Sequence, residues 1–484
     1  MISAPALEIA VLVWGLILLL AEAFVDKANR RLFAIAGIAG LIAVLFASFF
    51  LRPPGPPAEN GFWSFYTADA LAIFFKRFAL VTTILVLIMS IDYAPAIQSG
   101  VPGRNPRAGL GEFFTLPIFT CAGLMWMASA IDFVMIFVSL ELVTISFYVL
   151  VSFTRRNPAT LEAGVKYLIL SALSTGFLVY GITWIFGVTG ETNLARVGAV
   201  IAGSQTDHVP LLFGIILVLV ALGFKIAAVP FQIWVPDVYQ GAPTPVTAFL
   251  SVGSKAAGFV VLIRVLAPFL ILPEIGKLLA VLAALTLVYG NFAALPQSNL
   301  KRLLAYSSIA NAGYLLIGIV SFSGAAVAYY LVAYLLMTLL SFAVLIIVGN
   351  AAGDRIEDYA GLAKRSPFLA FAMLIGMTSL AGVPFTAGFL GKFFIFDAAI
   401  RQHQTALVVI GIITVGCGFY YYLKVVRSMY WLDPAANAAP VHISRLSRLT
   451  MAGLIAGIIF FGIYPQPILN ALNPRLPLAQ SAAR

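Results

Sequence analysis

Four ionisable residues stand where an apolar sequence tolerates them least. Glu141 lies in Phe137-Val138-Ser139-Leu140-Glu141-Leu142, Lys225 in Leu222-Gly223-Phe224-Lys225-Ile226, Lys255 in Gly253-Ser254-Lys255-Ala256 and Lys392 in Leu390-Gly391-Lys392-Phe393. A charge at the centre of a bilayer helix costs about 3 kcal/mol on insertion scales, so such residues are kept for a task. Carboxylates and amines exchange protons, and burial penalises the charged form of either, so the chemistry open to this set is proton transfer. Facing each other, Glu141 and Lys225 form an adjustable pair: together both stay charged, and apart the lysine can release its proton. A static buried ion pair is the structural alternative.

The neighbours of these residues fit that chemistry. Lys225 stands five residues before Pro230. A proline offers no N–H to the helix ladder and its ring clashes with the carbonyl four residues back, here that of Ile226. The freed carbonyls want water or polar partners. Gln232 and the Trp234-Val235-Pro236-Asp237 turn are expected to continue that polar lining. Lys255 has Gly253, Ser254 and Gly258 around it, which leaves room for water and close helix approach. Lys392 follows a second proline break. Lys166 stands one turn after Glu162, so it is either an ordinary i, i+4 surface pair or a fifth proton carrier. Ser307, Ser308, Asn311 and Tyr314 give one helix an uncharged polar face, fit for relaying protons or simply for packing.

What must position these residues is a set of membrane helices. With 62% hydrophobic and 10% charged residues and a mean hydropathy of +1.02, the chain carries more apolar surface than a soluble domain could bury. Fourteen apolar segments are expected, near 4–24, 32–51, 70–91, 112–130, 131–153, 162–187, 209–235, 243–270, 275–296, 301–321, 325–349, 367–400, 406–431 and 446–470. The fold class is all-α and polytopic, and no soluble catalytic domain fits. The boundary near Ala130 is the least marked.

Ala228-Val229-Pro230-Phe231 recurs as Gly382-Val383-Pro384-Phe385 five segments later. Five is odd, so two copies of such a unit lie upside down relative to each other in the membrane, as in many transporters. The expected organisation is an N-terminal three-helix segment over 1–111, five-helix repeats over 112–270 and 271–431, each with one broken helix, and a C-terminal helix and tail over 432–484.

The net charge of +10 is spread over short loops without a basic run, which argues against nucleic acid and for membrane topology. Lys27, Arg30, Arg31, Arg104, Arg107, Arg155, Arg156, Lys301, Arg302, Arg355, Lys364, Arg365, Arg427, Arg445 and Arg448 fall on one side. By the positive-inside rule both termini then face the periplasm. Cys121 and Cys417 sit in apolar runs and read as packing residues. Glu8 interrupts the first apolar run, which reads as a retained helix rather than a cleaved signal. Walker, dinucleotide, iron-sulfur and haem motifs are absent from the sequence, so the driving energy is expected from a partner or an ion gradient.

The chain resembles the antiporter-like membrane subunits of proton-pumping NADH:quinone oxidoreductase, respiratory complex I, most closely the subunit N type. The residues that carry the resemblance are Leu140-Glu141-Leu142, Glu162 to Tyr167, Gly223-Phe224-Lys225 onward through Pro236-Asp237-Val238-Tyr239-Gln240-Gly241-Ala242-Pro243, Ser254-Lys255, Ala305-Tyr306-Ser307-Ser308 and Gly388 to Phe393. The resemblance implies that the residue at Glu141 pairs with Lys225, that protons pass to Lys255, and that Lys392 sits on the exit side. It implies a bacterial inner membrane, partner subunits such as M, K and J, and NADH, FMN, iron-sulfur clusters and quinone held in partners rather than in this chain. Lysine at 392 argues against subunit M, and an end soon after the fourteenth helix against subunit L. Gln232 and Asn311 stand where relatives often carry histidine. The rival readings are a subunit of a sodium/proton antiporter or membrane-bound hydrogenase, a stand-alone secondary transporter, and a scaffold whose buried charges only hold helices together.

Overall fold

The computed structural model describes residues 3–24, 31–51, 63–101, 110–203, 208–270, 272–434 and 441–471. Its helices are α1 (Pro5–Phe24), α2 (Arg31–Ala47), α3 (Ala70–Gly100), α4 (Leu110–Ser129), α5 (Phe133–Val151), α6 (Pro158–Thr189), α7 (Leu194–Gly203), α8 (His208–Ile226), α9 (Val235–Gly241), α10 (Thr244–Phe249), α11 (Lys255–Leu266), α12 (Pro273–Ala294), α13 (Leu300–Val320), α14 (Gly324–Ala351), α15 (Leu362–Arg365), α16 (Pro367–Ala381), α17 (Ala387–Arg401), α18 (Thr405–Trp431), α19 (Arg445–Ile463) and α20 (Gln466–Ala471). A π-helical turn, Leu250–Ser254, joins α10 to α11. Among the described residues 13 helical runs are long and apolar enough to cross a membrane, α10 to α11 counting as one. The two halves α16 and α17 make one further, interrupted segment. Lys27, Arg30, Arg104, Arg107 and the tail 472–484 lie outside the described residues.

Side-chain caps start many of the helices: Asp69, Asp132, Asn157, Asn299, Ser323 and Ser444 each accept a backbone N–H of the first turn. Asp132 thereby separates α5 from α4, so the boundary near Ala130 is a true one. The sequence places the end of the third segment near residue 91, but α3 runs on to Gly100 with Pro95 inside it.

Both proline breaks form, by the same closure. At the end of α8, Ala227 takes the left-handed conformation with φ 64, and Ala228 N donates back to Gly223 O at 2.8 Å. At the end of α16, Gly382 is left-handed with φ 91, and Val383 N donates to Thr378 O at 3.0 Å. A left-handed residue followed by a bond five residues back is the Schellman stop, and it satisfies carbonyls that the broken ladder leaves over.

The run α10 to α11, and α13 apart from Arg302 at its start, are buried, so they form the centre around which the others pack. Close approach at this centre rests on glycine: a Cβ on Gly290 of α12 would stand 2.5 Å from Ala310 N of α13. The helices α1, α2 and α3 pack against α4.

Candidate functional site

Lys225, Lys255 and Lys392 are all buried, and each ammonium has a polar partner. Lys225 Nζ donates to Thr144 Oγ1 of α5 at 3.1 Å. Glu141, one turn earlier on α5, accepts from Thr175 Oγ1 of α6 at 2.7 Å. The expected Glu141–Lys225 contact is therefore open: the two groups approach the same stretch of α5 but hold separate hydroxyls. Lys225 has space to move its stem because Gly258 of α11 faces it, where a Cβ would stand 3.3 Å from Lys225 Cγ. Gln232, beyond the break, is buried, and its side-chain oxygen has no hydrogen-bond donor among the described residues.

Lys255 is aimed by the π-helical turn directly before it, since an extra residue in the turn resets the direction in which the following side chains leave the helix. Its Nζ donates to Ser308 O at 2.6 Å and Ser308 Oγ at 2.9 Å, and that hydroxyl donates to Tyr239 at 3.4 Å. Next to it, further polar groups line one face of α13. Ser307 Oγ lies 2.5 Å from the Tyr422 hydroxyl, Asn311 Nδ2 reaches Ser307 Oγ at 3.3 Å, and the Tyr330 hydroxyl donates to Asn311 Oδ1. Tyr314, one turn on, lies beside Tyr330, and its ring is 4.9 Å from Lys392 Nζ. Positions 307, 311 and 314 share a helix face by their i, i+4, i+7 spacing. Between the two buried lysines α13 thus carries hydroxyls, an amide and an aromatic face through a core that is otherwise apolar.

Lys392 is held in a different manner. Its Nζ donates to Leu380 O at 2.8 Å and Ala381 O at 3.0 Å, the last carbonyls of α16. The half-helix presents its negative end to the lysine that follows the break.

Lys166 lies apart from the buried row. It is 40% exposed and pairs with Glu162 Oε1 and Asp237 Oδ2, each at 2.7 Å, while Arg302 holds the other oxygen of Asp237 at 2.8 Å. Asp237 belongs to this half-exposed network, which pins α9 to α6 and α13, and not to a lining around Lys225. Partial burial would raise the Asp237 carboxyl, but the hydrogen bonds and charges of Lys166 and Arg302 outweigh it and hold it below the ordinary carboxylate range.

Residues 130–418 match the family described as NADH:quinone oxidoreductase/Mrp antiporter, TM. The chain belongs to this family. Within it, the chain is 40% identical over 472 residues to NADH-quinone oxidoreductase subunit N of Desulforamulus reducens, covering 96% of each, and 40% identical over 475 residues to that of Moorella thermoacetica, again covering 96% of each. It overlays a chain of respiratory complex I from Thermus thermophilus with a TM-score of 0.79 and 30% identity, covering 96% of this chain and 99% of that one. A chain of an archaeal membrane-bound sulfane sulfur reductase shares the fold, with a TM-score of 0.85 at 21% identity.

For a member of this family, reasoning from sequence missed one fully buried charge pair and one that is buried on its arginine side only. Lys76 of α3 meets Glu8 of α1, and Arg264 at the end of α11 holds Asp69 through both oxygens at 2.8 and 3.0 Å. The signal was available, since each pair unites opposite charges inside or beside apolar runs. Lys301, read as a loop charge, is buried and donates to Ala242 O at 3.0 Å.

Proposed function

We propose that this chain moves protons through the membrane as a subunit of an NADH:quinone oxidoreductase, along a row from Glu141 through Lys225 and Lys255 to Lys392. The observation that carries the row is the run of polar groups on α13 between two buried lysines: Ser308 accepts from Lys255, Asn311 donates to Ser307, and the Tyr314 ring lies against Lys392. The likeness to subunit N relatives across nearly the whole chain supports the oxidoreductase over a free-standing transporter.

Electron transfer to quinone in partner subunits would close and reopen the Glu141–Lys225 pair. Closing it draws Lys225 from Thr144 toward Glu141, and reopening lets the lysine pass a proton toward Lys255. Moving one charge against 100 mV costs about 2.3 kcal/mol, which under two units of pKa change in one group supplies at about 1.4 kcal/mol each. Flavin, iron-sulfur clusters, NADH and quinone belong to the partners in this reading. Lys166 acts at the margin, setting the position of α9 next to the row.

A partner membrane subunit is supported by the face that carries Glu141. The carboxylate is only partly covered, and Val134, Val138 and Ile145 on the same helix are exposed. A carboxylate turned to lipid at mid-helix is costly, so a neighbouring subunit of the K, J or M kind covers it. The repeats over 112–270 and 271–431 are inverted copies in this reading, supported by the two Schellman stops at the two Val-Pro-Phe sequences. The gathering of basic loops on one side supports, in this reading, termini that face the periplasm across a bacterial inner membrane.

The test is proton uptake into vesicles holding the assembled complex, normalised to NADH oxidation. Glu141→Gln and Lys255→Ala should each lower the ratio, and an unchanged ratio in either removes the row. Isolation without flavin and iron-sulfur subunits, together with sodium-dependent proton exchange, would favour the antiporter reading that the family description also covers.

A further inference from the structure

The N-terminal helices hold a second acid–base site, outside the row. Glu8 of α1 and Lys76 of α3 are both fully buried, with Nζ 2.8 Å from Oε1. Tyr66 bridges them: Lys76 Nζ donates to its hydroxyl at 2.5 Å, and that hydroxyl donates to Glu8 Oε1 at 3.1 Å. The same ammonium lies 4.7 Å from the Tyr66 ring. All of these contacts fall on one carboxylate oxygen. The other, Glu8 Oε2, is buried with no hydrogen-bond partner among the described residues.

The remaining charged and titratable groups nearby are Asp69, Arg264 and the Cys121 thiol of α4. Arg264 donates to Ala128 O at 3.0 Å and grips Asp69, whose side chain is 38% exposed. Arg264 and Lys255 stand near opposite ends of α11, nine residues and so roughly 13 Å apart along the helix. The site therefore lies between the central row and the aqueous face at which α3 begins.

Burying an ion pair is a weak way to hold helices together, because the desolvation cost offsets the attraction unless every lone pair is satisfied. Here one oxygen takes all the contacts and the other takes none, which is poor design for a clamp. It suits a group that gains and loses a proton, since Oε2 can be protonated without breaking an existing hydrogen bond. We propose that Glu8, held by Tyr66 and Lys76, is a proton-loading site serving the row on the side where α3 begins. One proton adds to Oε2 and gives the neutral acid beside the Lys76 ammonium. Its release past Asp69 to the aqueous face restores the carboxylate, and nothing is oxidised or reduced.

The proposal rests on the proton-carrying reading above, and the test separates the two. Complexes carrying Glu8→Gln, Glu8→Asp, Tyr66→Phe and Lys255→Ala are reconstituted in vesicles, and proton uptake per NADH oxidised is measured for each. Glu8→Gln should lower the ratio roughly twofold or more, with Glu8→Asp recovering much of it because a carboxyl remains. An infrared band of a protonated carboxyl that changes during turnover should be present in the unaltered complex and missing in Glu8→Gln. A ratio lowered by Lys255→Ala but untouched by Glu8→Gln overturns this site alone, whereas a ratio untouched by Lys255→Ala removes the underlying row. Loss of complex assembly in both Glu8→Gln and Tyr66→Phe would show a structural clamp and overturn the site as well.

Discussion

The two proline breaks share a sequence and a stop, yet they use their lysines in opposite ways. At the first, Lys225 comes before the break and leaves the helix end to others. Trp234 Nε1 donates to Phe224 O at 3.1 Å, and Thr286 of α12 accepts Val229 N at 3.0 Å. The ammonium is then held by one side-chain hydroxyl, next to a carboxylate it does not touch. At the second, Lys392 comes after the break and itself binds two carbonyls of the broken helix. One lysine is poised between partners and the other is built into the backbone closure, so the first break suits switching and the second suits a fixed terminus.

The sharpest way to break this contrast is Lys225→Met. It should slow proton passage through this subunit by on the order of tenfold or more, about 1.4 kcal/mol of barrier per factor of ten. Thermal stability of the assembled complex should scarcely move, because only the Thr144 contact is lost. Lys392→Met should do both: it strands the Leu380 and Ala381 carbonyls, and a buried acceptor left without its donor costs about 1–3 kcal/mol. Thermal unfolding followed beside proton uptake per NADH would read the difference. Equal stability losses in the two variants would erase the distinction between a poised and a built-in lysine.

Most of this arrangement was legible in the sequence. Lysines inside apolar runs, a repeated Val-Pro-Phe and an odd spacing between copies are enough to expect broken helices with charges beside them, because the bilayer makes each of these costly. What the residues alone could not convey is which group satisfies which. Glu141 and Lys225 suggest a pair by type, but the hydroxyls of Thr144 and Thr175 hold them apart, and threonines are too common in such helices to stand out. Asp237 reads as part of the lining because it follows the break directly. Its capture by Lys166 and Arg302 depends on three helix starts meeting at one place. Glu8 and Lys76 escaped notice as a pair because 68 positions separate them and neither lies near a break.

The stops themselves offer a finer test. Aligned on their prolines, the left-handed residue falls one position earlier in the first copy, so it is Ala227 there and Gly382 in the second. A Cβ in that conformation costs about 1–2 kcal/mol. Ala227→Gly should therefore stabilise the complex by up to about 1 kcal/mol, less the entropy that a glycine adds to the unfolded chain. Gly382→Ala should destabilise it, and by more than the conformational term, because the new Cβ would stand 3.2 Å from Lys392 Cδ and push on the lysine that closes the break. Proton uptake should fall with Gly382→Ala and hold with Ala227→Gly. The reverse ranking would mean that the first stop, and not the second, is the rigid one.

The smallest effect expected concerns the anchor that only the first break possesses. The helix α9 leaves that break and is tied down by Asp237 to Lys166 and Arg302, whereas α17 after the second break is held through Lys392. Because the Asp237 carboxyl is held below its unfolded value of about 3.9, its contribution is fully present above that pH and is lost as pH falls through the lower folded-state value. The pair is partly exposed and screened, which limits the contribution to about 1 kcal/mol at most. At neutral pH, Asp237→Asn should lower the unfolding temperature slightly, and the gap between variant and parent should close on acidification below the folded-state value. Lys392→Met, which involves no carboxylate, should show a gap that persists over the same range. A gap for Asp237→Asn that likewise ignores pH would mean that α9 is seated by its apolar contacts with α6 and α13, leaving the two breaks alike in needing no charge outside the membrane.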